Sequence, residues 1–186
     1  MSTKSKNAGI PTAISVDHPG FTVPDLEQAV KFFVEVIGCD LLYTAGPYKD
    51  DKSDSMTKAL QVDERTSIRL ALLRCGPVSN IELVEMIDVG RNTNPSKLSD
   101  NSGRHLAIRI TDTQLALEYL RKQEDVTILE TIRPHDGPET GVETTYIVTP
   151  WGMYLELLKR PDKMHYEDTT ENRLYKPHVA WEDRPL

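Results

Sequence analysis

The chain has 186 residues, 38% hydrophobic and 27% charged, with a formal net charge of −7. That length and composition suit a soluble protein built as one compact domain or as two small modules sharing a core. No apolar run approaches the roughly 20 residues of a membrane span, and the acidic balance argues against a nucleic-acid partner, whose phosphates need a basic face. A small-molecule partner is expected instead.

The opening MSTKSKNAGIPT lacks the apolar segment of a secretion signal, which predicts a cytoplasmic location. Ile14 to Val23 alternates and reads as a strand stopped at Pro24. Asp25 is placed to cap a helix, with Gln28 completing a capping-box pattern and Leu26, Ala29, Val30, Phe33 and Ile37 at helical spacing until Gly38. A short strand is predicted at Leu41 to Ala45. The polar excursion from Gly46 to Arg65 carries a short helix around Met56 to Leu60, and its length marks it as a functional loop. Ser67 to Arg74 and Ile81 to Ile87 read as strands joined through Gly76 and Pro77. Cys39 and Cys75 are too few for a disulfide framework and read as packed strand thiols.

Residues 88–103, rich in Asn, Ser, Asp and Gly, form a linker. The order then restarts. Arg104 to Ile110 is a strand, Asp112 caps a helix striped by Ala116, Leu117 and Leu120, and strands follow at Val126 to Ile132, Glu143 to Thr149 and Tyr154 to Leu158. The chain therefore divides into a first module over 14–87, the linker, a second module over 104–160, and a polar tail over 161–186. Tyr166, Tyr175 and Trp181 predict that the tail packs on its own or a partner subunit.

The two modules are copies. Asp17-His18-Pro19-Gly20-Phe21-Thr22-Val23-Pro24-Asp25 is echoed by Arg104-His105-Leu106-Ala107-Ile108-Arg109-Ile110-Thr111-Asp112. His18 and His105, Asp25 and Asp112, Ala29 and Ala116, and Phe32 and Tyr119 all lie 87 positions apart. Each half ends in an apolar strand with an acid before a leucine, Ile81-Glu82-Leu83-Val84 and Leu155-Glu156-Leu157-Leu158, at an offset of 74. The second half is shorter because it lacks most of the Gly46 to Arg65 excursion. Strand alternation puts Glu82 with Val84 and Met86, and Glu85 with Ile81 and Leu83, so only one of the two acids faces a common site. The repeat selects Glu82. His18, Glu82, His105 and Glu156 thus form a pseudosymmetric set of two imidazoles and two carboxylates. If the modules face one another as half-barrels, this set suits one divalent Mn, Fe, Co, Ni or Zn ion per chain, with up to two open positions for a chelating hydroxyketone.

These motifs, with P-W-G-M-Y-L-E-L, make the chain resemble the vicinal oxygen chelate superfamily, also called the glyoxalase/bleomycin-resistance/dioxygenase fold, from about Ile14 to Pro161. The resemblance implies an α+β fold in which two fused βαβββ modules form open, incompletely closed barrel-like sheets around a metal held by His18, Glu82, His105 and Glu156. F-T-V-P-D-L-E-Q-A-V-K-F-F-V-E-V-I-G-C and T-P-W-G-M-Y-L-E-L are similar to the subgroup of cyclitol epimerases acting on 2-epi-5-epi-valiolone. That subgroup implies a metal-dependent isomerase that forms an enediolate from a polyhydroxylated ketone, with Glu156 or Glu82 also moving the proton. A homodimer fits the family. A glyoxalase I-like lyase, an extradiol Fe(II) dioxygenase and a non-catalytic resistance binder are the alternatives. His135, in a turn-rich loop, is a lesser acid/base candidate, and Tyr43, Tyr48 and Tyr146 are possible substrate contacts without positional support. Alternation does not say which of Arg69, Arg74 and Arg109 reach the cavity.

Overall fold

The computed structural model describes residues 10–50, 54–87 and 90–174. It contains two four-stranded mixed sheets with few helices. In the first module β1 (Gly20–Thr22) leads to α1 (Leu26–Phe32), which widens into a π-helical turn at Phe33–Ile37; β2 (Asp40–Tyr48), α2 (Ser55–Leu60), β3 (Ser67–Arg74) and β4 (Asn80–Ile87) follow. The second module has β5 (His105–Arg109), α3 (Thr113–Leu120), β6 (Thr127–Ile132), β7 (Glu143–Val148) and β8 (Tyr154–Lys159). The sheet orders are β1-β4-β3-β2 and β5-β8-β7-β6, the same permutation twice, and neither sheet closes into a barrel. In each, the first strand lies parallel to the last and the remaining pairs are antiparallel.

Local chemistry sets the boundaries. The Asp25 and Asp112 carboxylates each accept from the backbone N–H three residues on, Gln28 and Leu115, both at 2.9 Å, so both helices start on the same N-cap. The first helix ends where Gly38 takes φ 84°, a left-handed conformation glycine adopts without a Cβ clash.

The core is common to both modules. Phe21, Leu26, Phe33, Leu73 and Leu83 from the first form one buried cluster with Leu117, Leu120, Ile147, Leu155 and Leu157 from the second. Trp151, in the turn before β8, packs its ring edge-on to Phe32 with centroids 5.4 Å apart. The Tyr119 hydroxyl donates to the Val36 carbonyl across the junction at 3.0 Å. The helix-bearing faces of the sheets are therefore used up in holding the modules together, and the opposite faces remain open.

Two expectations need correction. The strand read from Ile14 to Val23 shrinks to Gly20–Thr22, because β4 offers partners only from Gly20 opposite Glu82 to Thr22 opposite Val84. Ile14 and Val16 are instead almost fully exposed. Cys39 and Cys75 are not free thiols but a disulfide that ties the start of β2 to the end of β3. Adjacent strand ends bring the two residues within bonding reach, with Cα atoms 4.4 Å apart. The tail expectation holds for Tyr166, which packs against Val142, Leu158 and Met164, while Tyr175 and Trp181 lie outside the described residues. Among the described residues no helix is long and apolar enough to cross a membrane.

Candidate metal half-sites

Strand alternation separates the two acids of β4. Ile81, Leu83 and Glu85 are buried on the helix-bearing face, and Glu82, Val84 and Met86 share the open one. Glu85 is held there by Arg69, whose Nε donates to its carboxylate at 2.7 Å while Nη1 reaches Glu27 at 2.9 Å. It is a structural ion pair. Glu82 lies over Gly20, its neighbour on β1; a Cβ at Gly20 would sit 3.3 Å from Glu82 Oε2, so the missing side chain leaves room for the carboxylate. His18, just upstream of β1, places Nε2 3.8 Å from the same oxygen. Its Nδ1 sits 2.6 Å from the Asp17 carboxylate, a contact of the kind that would orient the ring and leave Nε2 free for a metal ion.

The second module repeats this on β5 and β8. Ala107 stands where Gly20 does, opposite Glu156, and His105 Nε2 lies 3.0 Å from Glu156 Oε2. Glu156 is the more enclosed carboxylate, with its side chain 12% exposed against 28% for Glu82. From β7, Tyr146 faces Glu156 directly and sets its ring perpendicular to the His105 imidazole, centroids 5.4 Å apart. Burial first, and the negative charge of Glu156 second, hold the Tyr146 phenol above its ordinary pKa, so it is a neutral O–H group. The sequence offered Tyr146 only beside Tyr43 and Tyr48, because nothing local to it marks its position opposite Glu156. The only signal was the offset of 74, which pairs it with Leu72, opposite Glu82.

The chain thus assembles two half-sites, His18 with Glu82 and His105 with Glu156. Among the described residues no group of three or more His, Cys, Asp or Glu is gathered closely enough to hold a metal ion, so the four side chains do not meet at one point within a single chain. The donor chemistry nevertheless fits a divalent ion of the Mn to Zn range: each half-site sets an imidazole nitrogen against a carboxylate oxygen on an open sheet face. Of the arginines, Arg69 serves Glu85, Arg74 pairs with Asp40 at 3.1 Å, and Arg109 lies on the His105 face of β5. His135 is exposed in its loop. A pocket of about 190 Å³, lined by none of the four His and Glu side chains, opens where Arg104 and Tyr154 meet the linker at Asn94 and Pro95 and the residue after β1, Val23.

A curated relative, the 2-epi-5-epi-valiolone epimerase of an Actinomyces species, is 47% identical over 178 residues, covering 94% of this chain and 95% of that one. Among solved structures, a glyoxalase family protein from Bacillus cereus superposes with a TM-score of 0.60 at 14% identity, covering 82% of this chain and 99% of the other. A glyoxylase/bleomycin resistance protein/dioxygenase domain from Frankia sp. EAN1pec gives 0.53 at 17% identity, over 81% and 100%. These two likenesses concern the fold. The family model for the glyoxalase/bleomycin resistance protein/dioxygenase superfamily matches residues 17–146, from the residue that orients His18 to the tyrosine that faces Glu156, and the chain belongs to that superfamily.

Proposed function

We propose that this protein is a divalent-metal-dependent epimerase of a small polyhydroxylated cyclitol ketone of the 2-epi-5-epi-valiolone kind, and that it works as a homodimer. The observation that carries the reading is the 47% identity to a 2-epi-5-epi-valiolone epimerase across 94% of the chain, a span that includes both His/Glu pairs. An ion held by His18, Glu82, His105 and Glu156 would supply a Lewis acid that draws charge from the substrate carbonyl and acidifies the neighbouring C–H. The rest falls to the chain. His18, steadied by Asp17, and His105 bind through Nε2. Glu82 and Glu156 approach from different modules, so that one removes the proton and the other returns one to the opposite face of the same carbon, which inverts that centre. Because the two half-sites stand apart in one chain, each open sheet face is completed by the complementary half-site of a second copy.

Mixing tests both parts at once. His18→Ala and Glu156→Gln chains should each be inactive on 2-epi-5-epi-valiolone and should each bind well below one metal ion per chain by elemental analysis. A co-refolded mixture should regain activity, because one of the two sites in a hybrid dimer then receives only intact residues. No regain places the site within one chain. A wild type that binds no divalent metal after loading with Mn²⁺, Co²⁺, Ni²⁺, Fe²⁺ or Zn²⁺ removes the enzyme reading.

A further inference from the structure

A site built by duplication offers its ligand two nearly equivalent orientations, and something must choose between them if one defined glutamate is to take the proton. The strand facing each acid is where the two halves differ. Opposite Glu82 stands Leu72, which has no polar group, and opposite Glu156 stands Tyr146. The Tyr146 ring is partly buried and held against His105, yet its hydroxyl makes no hydrogen bond or ion pair among the described residues. The Tyr146 oxygen is not sealed from solvent, so water can satisfy it until a ligand displaces that water. The hydroxyl is left over on an open face, beside a carboxylate and an imidazole, where a ligand rich in oxygen would meet it.

We infer that Tyr146 is a substrate-contacting residue whose hydroxyl donates to a hydroxyl oxygen of the cyclitol and fixes which way round the ring sits between the two half-sites. The inference rests on the epimerase reading above. Leu72 supplies the opposite condition: a hydroxyl placed against it loses its hydrogen bond to water and gains none, which disfavours the reversed orientation. Together the pair makes the second module the polar side of the site and the first its apolar side. The aromatic ring itself is retained in Tyr146→Phe, so packing against His105 survives the substitution.

The experiment compares metal-loaded wild type with Tyr146→Phe in three readouts: metal content by elemental analysis, affinity for 2-epi-5-epi-valiolone by calorimetry, and KM and kcat for its epimerisation. Loss of one neutral hydrogen bond to the ligand predicts roughly tenfold weaker binding and a correspondingly raised KM, with metal content unchanged. Equal affinity and equal KM in the two proteins would overturn the role of Tyr146 and leave the epimerase reading standing. Loss of metal in Tyr146→Phe would also overturn it, because the hydroxyl would then serve the half-site rather than the substrate. A wild type that neither binds nor turns over the cyclitol removes both together.

Discussion

In the first module the acid of the last strand looks across at Gly20 and Leu72; in the second the equivalent acid looks across at Ala107 and Tyr146. The same comparison runs through the rest of the molecule. Phe32 is buried against Trp151, whereas its counterpart Tyr119 is 45% exposed and reaches over the junction by its hydroxyl. Cys39 and Cys75 are bonded, whereas the equivalent positions hold Val126 and Thr149. The register confirms that equivalence, since Asp40 pairs with Arg74 as Thr127 pairs with Val148. What the modules keep in common is the His, the acid and the Asp that caps the helix. The lesson is that the two halves keep the His, the acid and the capping Asp and differ at the positions around them: a disulfide in one half, a tyrosine facing the acid in the other.

The largest effect should be the most symmetric. His105→Ala and Glu156→Gln in one half, and His18→Ala and Glu82→Gln in the other, should each lower turnover on the order of a thousandfold, about 4 kcal/mol of transition-state stabilisation, as measured by kcat/KM on the cyclitol. Retention of near-normal rates by either pair of variants would show that only one module carries the chemistry.

Stability, by contrast, should break asymmetrically. Replacing Cys39 and Cys75 by alanine, which frees a 36-residue separation in the unfolded chain, should cost about 3–4 kcal/mol in urea unfolding by the chain-entropy account. Mass analysis of alkylated protein before and after reduction should show the Cys39–Cys75 bond as a two-dalton difference in the unreduced chain. Next in size is Arg69→Met, which strands the buried Glu85 carboxylate and should cost about 3 kcal/mol. The matching pair in the second module carries the charges the other way round, Glu143 opposite Lys159, and is more exposed, so Lys159→Met should cost less than about 1 kcal/mol in the same assay at neutral pH.

Acid should reveal a smaller contribution from the second module. The Lys159 ammonium first, and the Arg133 guanidinium second, hold the Glu143 carboxyl below its usual value of 4.5. A depressed folded-state pKa adds stability that is complete above the unfolded value and is lost as pH falls through the folded one. Unfolding followed from pH 6 downward should therefore show a loss beginning near 4.5 that Lys159→Met reduces. The smallest effect belongs to Gly20→Ala, which makes the first module copy Ala107. The added methyl group must displace the Glu82 carboxylate by only a few tenths of an ångström, so metal affinity by competitive titration should weaken slightly while folding is preserved.

Much of this was legible without coordinates wherever the determinant was local. The two N-caps, the strands Ser67–Arg74 and Asn80–Ile87, the short helix in the first long loop, and the separation of Glu82 from Glu85 onto opposite faces all follow from neighbours a few residues apart. The repeat extended that reach, because an offset held across many residues reports shared geometry as well as shared chemistry. It selected the two His/Glu pairs, which the structure brings together within each module.

What only the tertiary structure decided depended on partners far along the chain. Ile14 to Val16 alternates like a strand but has no strand to pair with, and alternation alone does not satisfy a backbone hydrogen bond. The cysteines looked like isolated thiols until β2 and β3 lay side by side. Tyr146 came to face Glu156 only when β7 was registered on β8. The separation of the half-sites within one chain was set by the apolar side chains that fasten the two helix-bearing faces to each other. Sequence determined what each module is, since hydrophobic periodicity and capping act over a few residues; packing decided how the modules are arranged, since burial of one face against another is a property of the whole molecule.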